Sequence, residues 1–167
     1  MNNKLYGYSG TSPQEGVTVT SSMKFGICTS GRKESDDPLK IETTLVKDAE
    51  SLSVATDNGI EEWNAMDQDG WTRRLVTSKS LSVSLGGKRN YGDPGNDYVA
   101  SCACENGQGC DSWFSVIFPN KDQLIIPCVI NVTSMGGDAT AVNALEWEIQ
   151  SSGKPTYAPY NGTSNDA

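Results

Sequence analysis

The sequence predicts a mainly β protein, a β-sandwich or partly open barrel with one α-helix flanking it at about residues 94–106. Three observations carry this. Several segments alternate apolar and polar residues with the two-residue period of a strand. A single segment has both a helix start and a helix stop. The composition, 36% hydrophobic and 20% charged with 17 glycines in 167 residues, suits many turns joining short strands. The length fits one domain over residues 1–167, enough to bury a core without covalent staples.

Taken in order, residues 1–22 mix Gly, Ser, Thr, Asn and Pro and read as a loose arm with a short strand at Val17–Thr20. Met23–Cys28 reads as a strand, and the charged stretch Thr29–Pro38 as a solvated hairpin loop or a mobile excursion. Lys40–Val46 and Ala49–Ala55 carry the β-branched content of strands. Asp57-Asn58-Gly59, before Ile60–Trp63, has tight-turn chemistry. The cleanest alternation is Ser80-Leu81-Ser82-Val83-Ser84-Leu85. It puts three apolar side chains on one face and three serines on the other, a smooth, uncharged, wet surface.

The helix follows. Asp93 caps it, Pro94 suits the first helical position, and Asp97 complements its positive end. Tyr98, Val99, Cys102 and Ala103 form its apolar stripe, and Asn106-Gly107 supplies the stop. Trp113–Phe118 and Gln123–Val132 form a hairpin about Pro119–Asp122, with Pro127 marking an edge or a bulge because it has no N–H to donate. In Asn143–Ser151, Leu145, Trp147 and Ile149 alternate with Glu146, Glu148 and Gln150, giving one apolar and one acidic face. The tail after Lys154, and residues 155–167 generally, read as frayed.

The charge narrows the function. With 13 basic against 21 acidic residues the net charge is −8, so the chain repels a nucleic-acid duplex on average and sequence-specific DNA binding is not expected. No stretch approaches the roughly 18 apolar residues of a membrane span. Met1–Tyr8 has no apolar run behind Lys4, so no secretory leader is expected.

Catalytic chemistry finds little to work with. The chain has no histidine, which removes Ser-His-Asp and Cys-His activation and the commonest zinc ligand. Five cysteines, Cys28, Cys102, Cys104, Cys110 and Cys128, are an odd number without an export signal, so a reduced state is expected rather than a disulfide framework. Cys102-x-Cys104 followed by Cys110 lacks zinc-knuckle spacing and a second pair, and reads as small hydrophobes. The acid pairs Asp36-Asp37 and Glu61-Glu62 read as solvated turn acids. Asp67-x-Asp69-Gly70 opens like a calcium loop, but Ser78 stands at the twelfth position. Gly86-Gly87-Lys88 lacks the upstream glycine of a P-loop. No catalytic, metal or cofactor site is expected.

Glu61–Trp71 differs in kind, because Trp63, Met66 and Trp71 sit among acids and turn-formers. Aromatics and methionine on a loop are enriched at protein–protein contacts; the alternative is that both tryptophans fold back onto their own core. Arg73 and Arg74 beside them either pair with acids on a neighbouring copy or face water.

The run Gly86–Ala100 (GGKRNYGDPGNDYVA), with Asp57–Asn64 (DNGIEEWN), Trp71–Leu75 (WTRRL) and the ending Leu145-Glu146-Trp147-Glu148-Ile149 before Gly153-Lys154-Pro155, resembles the major tail (tail tube) proteins of long-tailed phages and prophages of Gram-positive bacteria. The resemblance covers roughly residues 40–157 and leaves out residues 1–22 and Cys102–Cys110. It implies hexameric rings of self-associated copies, stacked into a hollow virion tail tube that is assembled in the host cytoplasm. The tape-measure protein and a tail terminator would be partners, and phage DNA would pass through the lumen without specific binding. On that reading Trp63, Met66, Trp71, Arg73 and Arg74 are subunit-interface candidates. Ser80, Ser82, Ser84, Glu146 and Glu148 are candidates for a lumen or barrel strand. Alternatives are the inner tube of a contractile tail or phage-derived particle, a carbohydrate-binding β-sandwich on a virion, and, with no motif behind it, a hydrolase using acid pairs.

Overall fold

The computed structural model describes residues 17–160. Its strands are β1 (Lys24–Ile27), β2 (Thr44–Leu45), β3 (Ala49–Asn64), β4 (Thr72–Lys88), β5 (Asp111–Ile117), β6 (Asp122–Gly136), β7 (Ala144–Ser151) and β8 (Thr156–Pro159), with helix α1 (Pro94–Ser101) between β4 and β5. All join one antiparallel sheet in the order β2-β1-β5-β6-β7-β4-β3, and β8 pairs with β6 beside β7. The mainly β architecture with one short helix is as the residue pattern predicts.

The sheet carries one large core and a smaller cluster of Cys28, Trp113 and Ile125. Leu81, Val83 and Leu85 of β4 and Leu145, Trp147 and Ile149 of β7 pack with Phe114 and Val116 of β5, Ile126 and Ile130 of β6, Ile27 of β1 and Val99 of α1. Phe114 meets Trp147 edge-on, ring centroids 6.0 Å apart. The serine alternation therefore does what its period requires: the three apolar residues of β4 enter the core and Ser84 stays exposed.

A polar staple ties the ends of the elements together. Asn96, 1% exposed, accepts hydrogen bonds from Arg89 Nη1 (2.8 Å) and the Asn90 amide (3.1 Å), and donates to the carbonyls of Lys88 (2.9 Å) and Lys47 (3.4 Å). Asp93 caps α1 by accepting from the Asn96 amide at 3.0 Å and also accepts from the Lys47 amide at 3.2 Å. Two glycines allow the strand leading into β3 to pass this close. A Cβ on Gly95 would lie 2.5 Å from the Leu45 carbonyl oxygen, and one on Gly87 2.2 Å from that of Asp48. The Gly86–Ala100 run, which carries the family resemblance, is thus the joint between β4, α1 and the 45–48 crossing.

Several expectations need correction. Asp57-Asn58-Gly59 is no turn; it lies inside the 16-residue β3, paired with Ser80, Lys79 and Ser78. The cross-strand ladder overrides the local turn chemistry, and the reversal falls at residues 65–71. Lys40–Val46 is not one strand, since Pro38–Lys40 is a 3-10 turn and only Thr44–Leu45 pair. Val17–Thr20 is not a strand either; Thr20–Ser22 is a 3-10 turn, and residues 1–16 of the expected arm lie outside the described residues. The helix ends at Ser101, and Cys102–Cys104 and Gly107–Cys110 are 3-10 turns.

Residues 29–37 are pinned: Arg32 reaches Asp111 at 3.2 Å and Trp113 Nε1 donates to Asp36 at 3.1 Å. Pro127 marks no bulge and no edge strand, but a local edge where pairing on one side of β6 is interrupted. It sits within β6 opposite Trp113, between the stretches that pair with β8 and β7, where no partner strand asks for its N–H. Nor is the segment after Lys154 frayed up to Tyr160. Thr156–Pro159 add β8, held by the Tyr157 hydroxyl on Asp122 and the Tyr160 amide on the Lys121 carbonyl (2.8 Å); residues 161–167 lie outside the described residues.

Candidate functional site

β3 and β4 form one hairpin with two unlike halves. The proximal half, Ala49–Thr56 against Leu81–Gly87, lies in the sheet, where β7 pairs with Ser82–Lys88. Among the described residues the distal half, Asp57–Asn64 against Thr72–Ser80, pairs only with itself and projects past the end of β7. A lone two-stranded ribbon is marginal in water, and this one exposes Ile60 (54%), Trp63 (43%), Leu75 (58%) and Val76 (47%). At its tip Met66 is fully exposed and Trp71 is 77% exposed. The tip reverses through a 3-10 turn at Met66–Gln68 and left-handed Asp69 (φ 49°) and Gly70 (φ 83°). The acids that look like the start of a calcium loop are this turn, while Ser78 stands in β4 opposite Gly59.

Trp63, Met66, Trp71, Arg73 and Arg74 all fall on this projection. Trp63 and Trp71 do not fold back onto the core. Trp63 instead carries Arg73, whose guanidinium carbon lies 5.7 Å from the ring centroid. Arg74 bridges to Glu62 of its own chain at 3.1 Å.

The second set lies on the sheet face opposite the core. Ser82 stands opposite Gln150, Ser84 opposite Glu148, and Gly86 opposite Glu146, while on the other flank Ser53 faces Ser84. Ser51, Ser53, Ser84, Thr133, Glu146 and Glu148 line an open groove along it. Ser80 continues this face onto the projecting half, opposite Asp57.

Two margins bound these strands. β3 is the last strand of the sheet on one side. On the other, β5 covers β6 only as far as Val129, so Ile130–Gly136 have no strand on that side among the described residues. The 105–111 turns stand off from there across an open groove.

Two of the thiols are held in the protonated form. Burial pushes Cys102 up to about 11 and Cys128 up to about 12, so both stay protonated at neutral pH. All five cysteines are free, with Cys104 alone exposed, and no cluster of three potential ligands occurs among the described residues. No helix there is long and apolar enough to cross a membrane.

The sheet, its one helix and the projecting hairpin can be compared with solved structures. The chain aligns with the tail of an empty gene transfer agent (GTA) particle, determined by helical refinement with C6 symmetry, at a TM-score of 0.66 and 14% identity; the match covers 85% of this chain and 99% of that one. It has a tail fold. A chain in the virion of a native GTA particle aligns at a TM-score of 0.64 and 16% identity, covering 85% and 99%. No family profile and no curated protein matches the sequence.

Sequence reasoning missed Asn96 and Arg89. Both lie in the run that carries the resemblance, but an asparagine's burial leaves no periodic signature. It also missed the length of the hairpin, because Asp57-Asn58-Gly59 imitates its end.

Proposed function

We propose that this chain is a structural tail tube subunit that self-assembles into hexameric rings, stacked into a hollow conduit for DNA, and that it performs no catalysis. The observation that carries this reading is the distal half of the β3–β4 hairpin, an apolar-tipped ribbon that the described residues leave uncovered. A tail fold shared with a C6-symmetric particle supports it.

The mechanism is physical. The strands β3-β4-β7 and the far half of β6 form a four-strand band whose two flanks are the β3 margin and the open side of Ile130–Gly136. Open strand margins are satisfied by another chain's strand. A head-to-tail contact between unlike margins closes into a ring when the rotation closes. With the core on one side of the band, the serine and glutamate face lines the lumen. There its hydroxyls and carboxylates offer DNA phosphates no cation to hold, consistent with a net charge of −8. Tape-measure and terminator proteins would meet the same rings from inside and at one end.

The test is Trp63→Ala with Trp71→Ala. The monomer should unfold within about 0.5 kcal/mol of the parent, as exposed positions do, while electron microscopy of concentrated protein shows tubes for the parent and none for the variant. Tubes from the double variant would refute the role of the projection.

A further inference from the structure

The projecting ribbon is apolar on both sides, and a bulge decides which apolar residue joins which side. From Ser51↔Gly86 to Gly59↔Ser78 the pairing is regular, and the next pair is Ile60↔Val76, so Thr77 is an extra residue on β4 with its hydroxyl on the Gly59 carbonyl at 3.3 Å. A bulge resets the alternation of the strand that carries it. Under unbroken alternation Val76 and Arg74 would follow Ser78, Ser80 and Ser82 onto the serine side. With Thr77 absorbed, Leu75 and Arg73 take that side instead, opposite Glu61 and Trp63. Val76 and Arg74 turn to the side that continues the core, opposite Ile60 and Glu62.

Two side-chain contacts agree with this partition. Arg73 lies over Trp63 on one side, and Arg74 bridges to Glu62 on the other. Each side therefore presents an apolar pair beside a charged group: Trp63 and Leu75, 43% and 58% exposed, and Ile60 and Val76, 54% and 47% exposed.

We propose that the ribbon is a wedge held between two further copies of this chain, one covering Trp63 and Leu75 and the other Ile60 and Val76, with the Thr77 bulge as the positioning element. The inference rests on the assembly reading above. β3 is one unbroken strand shared by the sheet margin and the ribbon, so a copy seated along the margin continues onto the ribbon's flank. A layer seated along that flank covers the side it faces. Packed β layers lie about 10 Å apart, so the opposite side needs a layer from a different copy. A ribbon with a single apolar side would need only one neighbour.

The experiment places a photoreactive benzophenone amino acid at position 60, at position 75, or at both, in the full chain. The substituted chain is diluted into a large excess of unsubstituted chain and allowed to assemble. After irradiation each single substitution should give covalent dimers, with cross-linked peptides from different segments of the acceptor, and the double substitution should give covalent trimers. Unchanged thermal midpoints confirm that the substituted chains are folded. Dimers alone from the double substitution, in assemblies where both single probes react, would overturn the wedge and leave the tail tube reading standing. Products confined to the substituted chain would do the same. Failure of the parent chain to assemble would overturn both.

Discussion

The two halves of the β3–β4 hairpin share a backbone ladder and differ in what surrounds them. Leu81, Val83 and Leu85 are at most 8% exposed because β7 pairs alongside and the curled sheet closes over them. A few residues on, Leu75 and Val76 are 58% and 47% exposed on the same strand. Apolar burial in the first half stabilises the monomer; the same residue types in the second half stay exposed in it, and the proposed function assigns them to contacts with other copies. Residue type alone does not separate structural from associative positions. Their place relative to the end of β7 does.

The sharpest way to break this comparison is to truncate one leucine in each half. Leu85→Ala removes a fully packed side chain and should cost about 2–5 kcal/mol in urea unfolding. Leu75→Ala should stay within about 0.5 kcal/mol. Equal costs would mean that the distal half is covered within the monomer.

A smaller effect is expected at the staple that anchors the proximal half. Asn96→Ala leaves the Lys88 carbonyl and the Asn90 amide without this partner and should cost about 1–3 kcal/mol. Circular dichroism should show the strand signal retained at low denaturant. No loss of stability would remove the staple from the account.

The smallest effect depends on pH. The hydrogen bond from Arg89, joined by the Gly92 amide, holds the Asp97 carboxyl below its ordinary value of 3.8. Its contribution is therefore full above that value and is lost as pH falls through the lower folded value. Asp97→Asn should flatten the fall in urea midpoint below about pH 4 relative to the parent while leaving the ribbon's exposure unchanged. Parallel curves would contradict the pairing.

How far the sequence was legible follows the range of the interactions. Strict alternation in Ser80–Leu85 and Leu145–Ile149 marked buried strands because the strand period is local. Asp93-Pro94 marked the helix start for the same reason, and the cap is made as read. The errors lie where distant partners decide. Asp57-Asn58-Gly59 looks like a turn until the Ser78–Ser80 stretch pairs with it, and Thr156–Pro159 looks loose until β6 offers an edge. The candidate site was legible as a set, since Trp63, Met66 and Trp71 stand out from acidic surroundings. Which residue takes which face was not, because a bulge at Thr77 leaves no compositional mark.

Hydrogen exchange measured on dilute monomer and on concentrated, assembled protein tests the central claim most directly. The account predicts slow exchange at residues 81–88 in both states, fast exchange at residues 57–64 and 72–80 in the monomer, and strong protection of those distal segments on assembly. Distal segments already protected in the monomer, or still fast in the assembled protein, would contradict it.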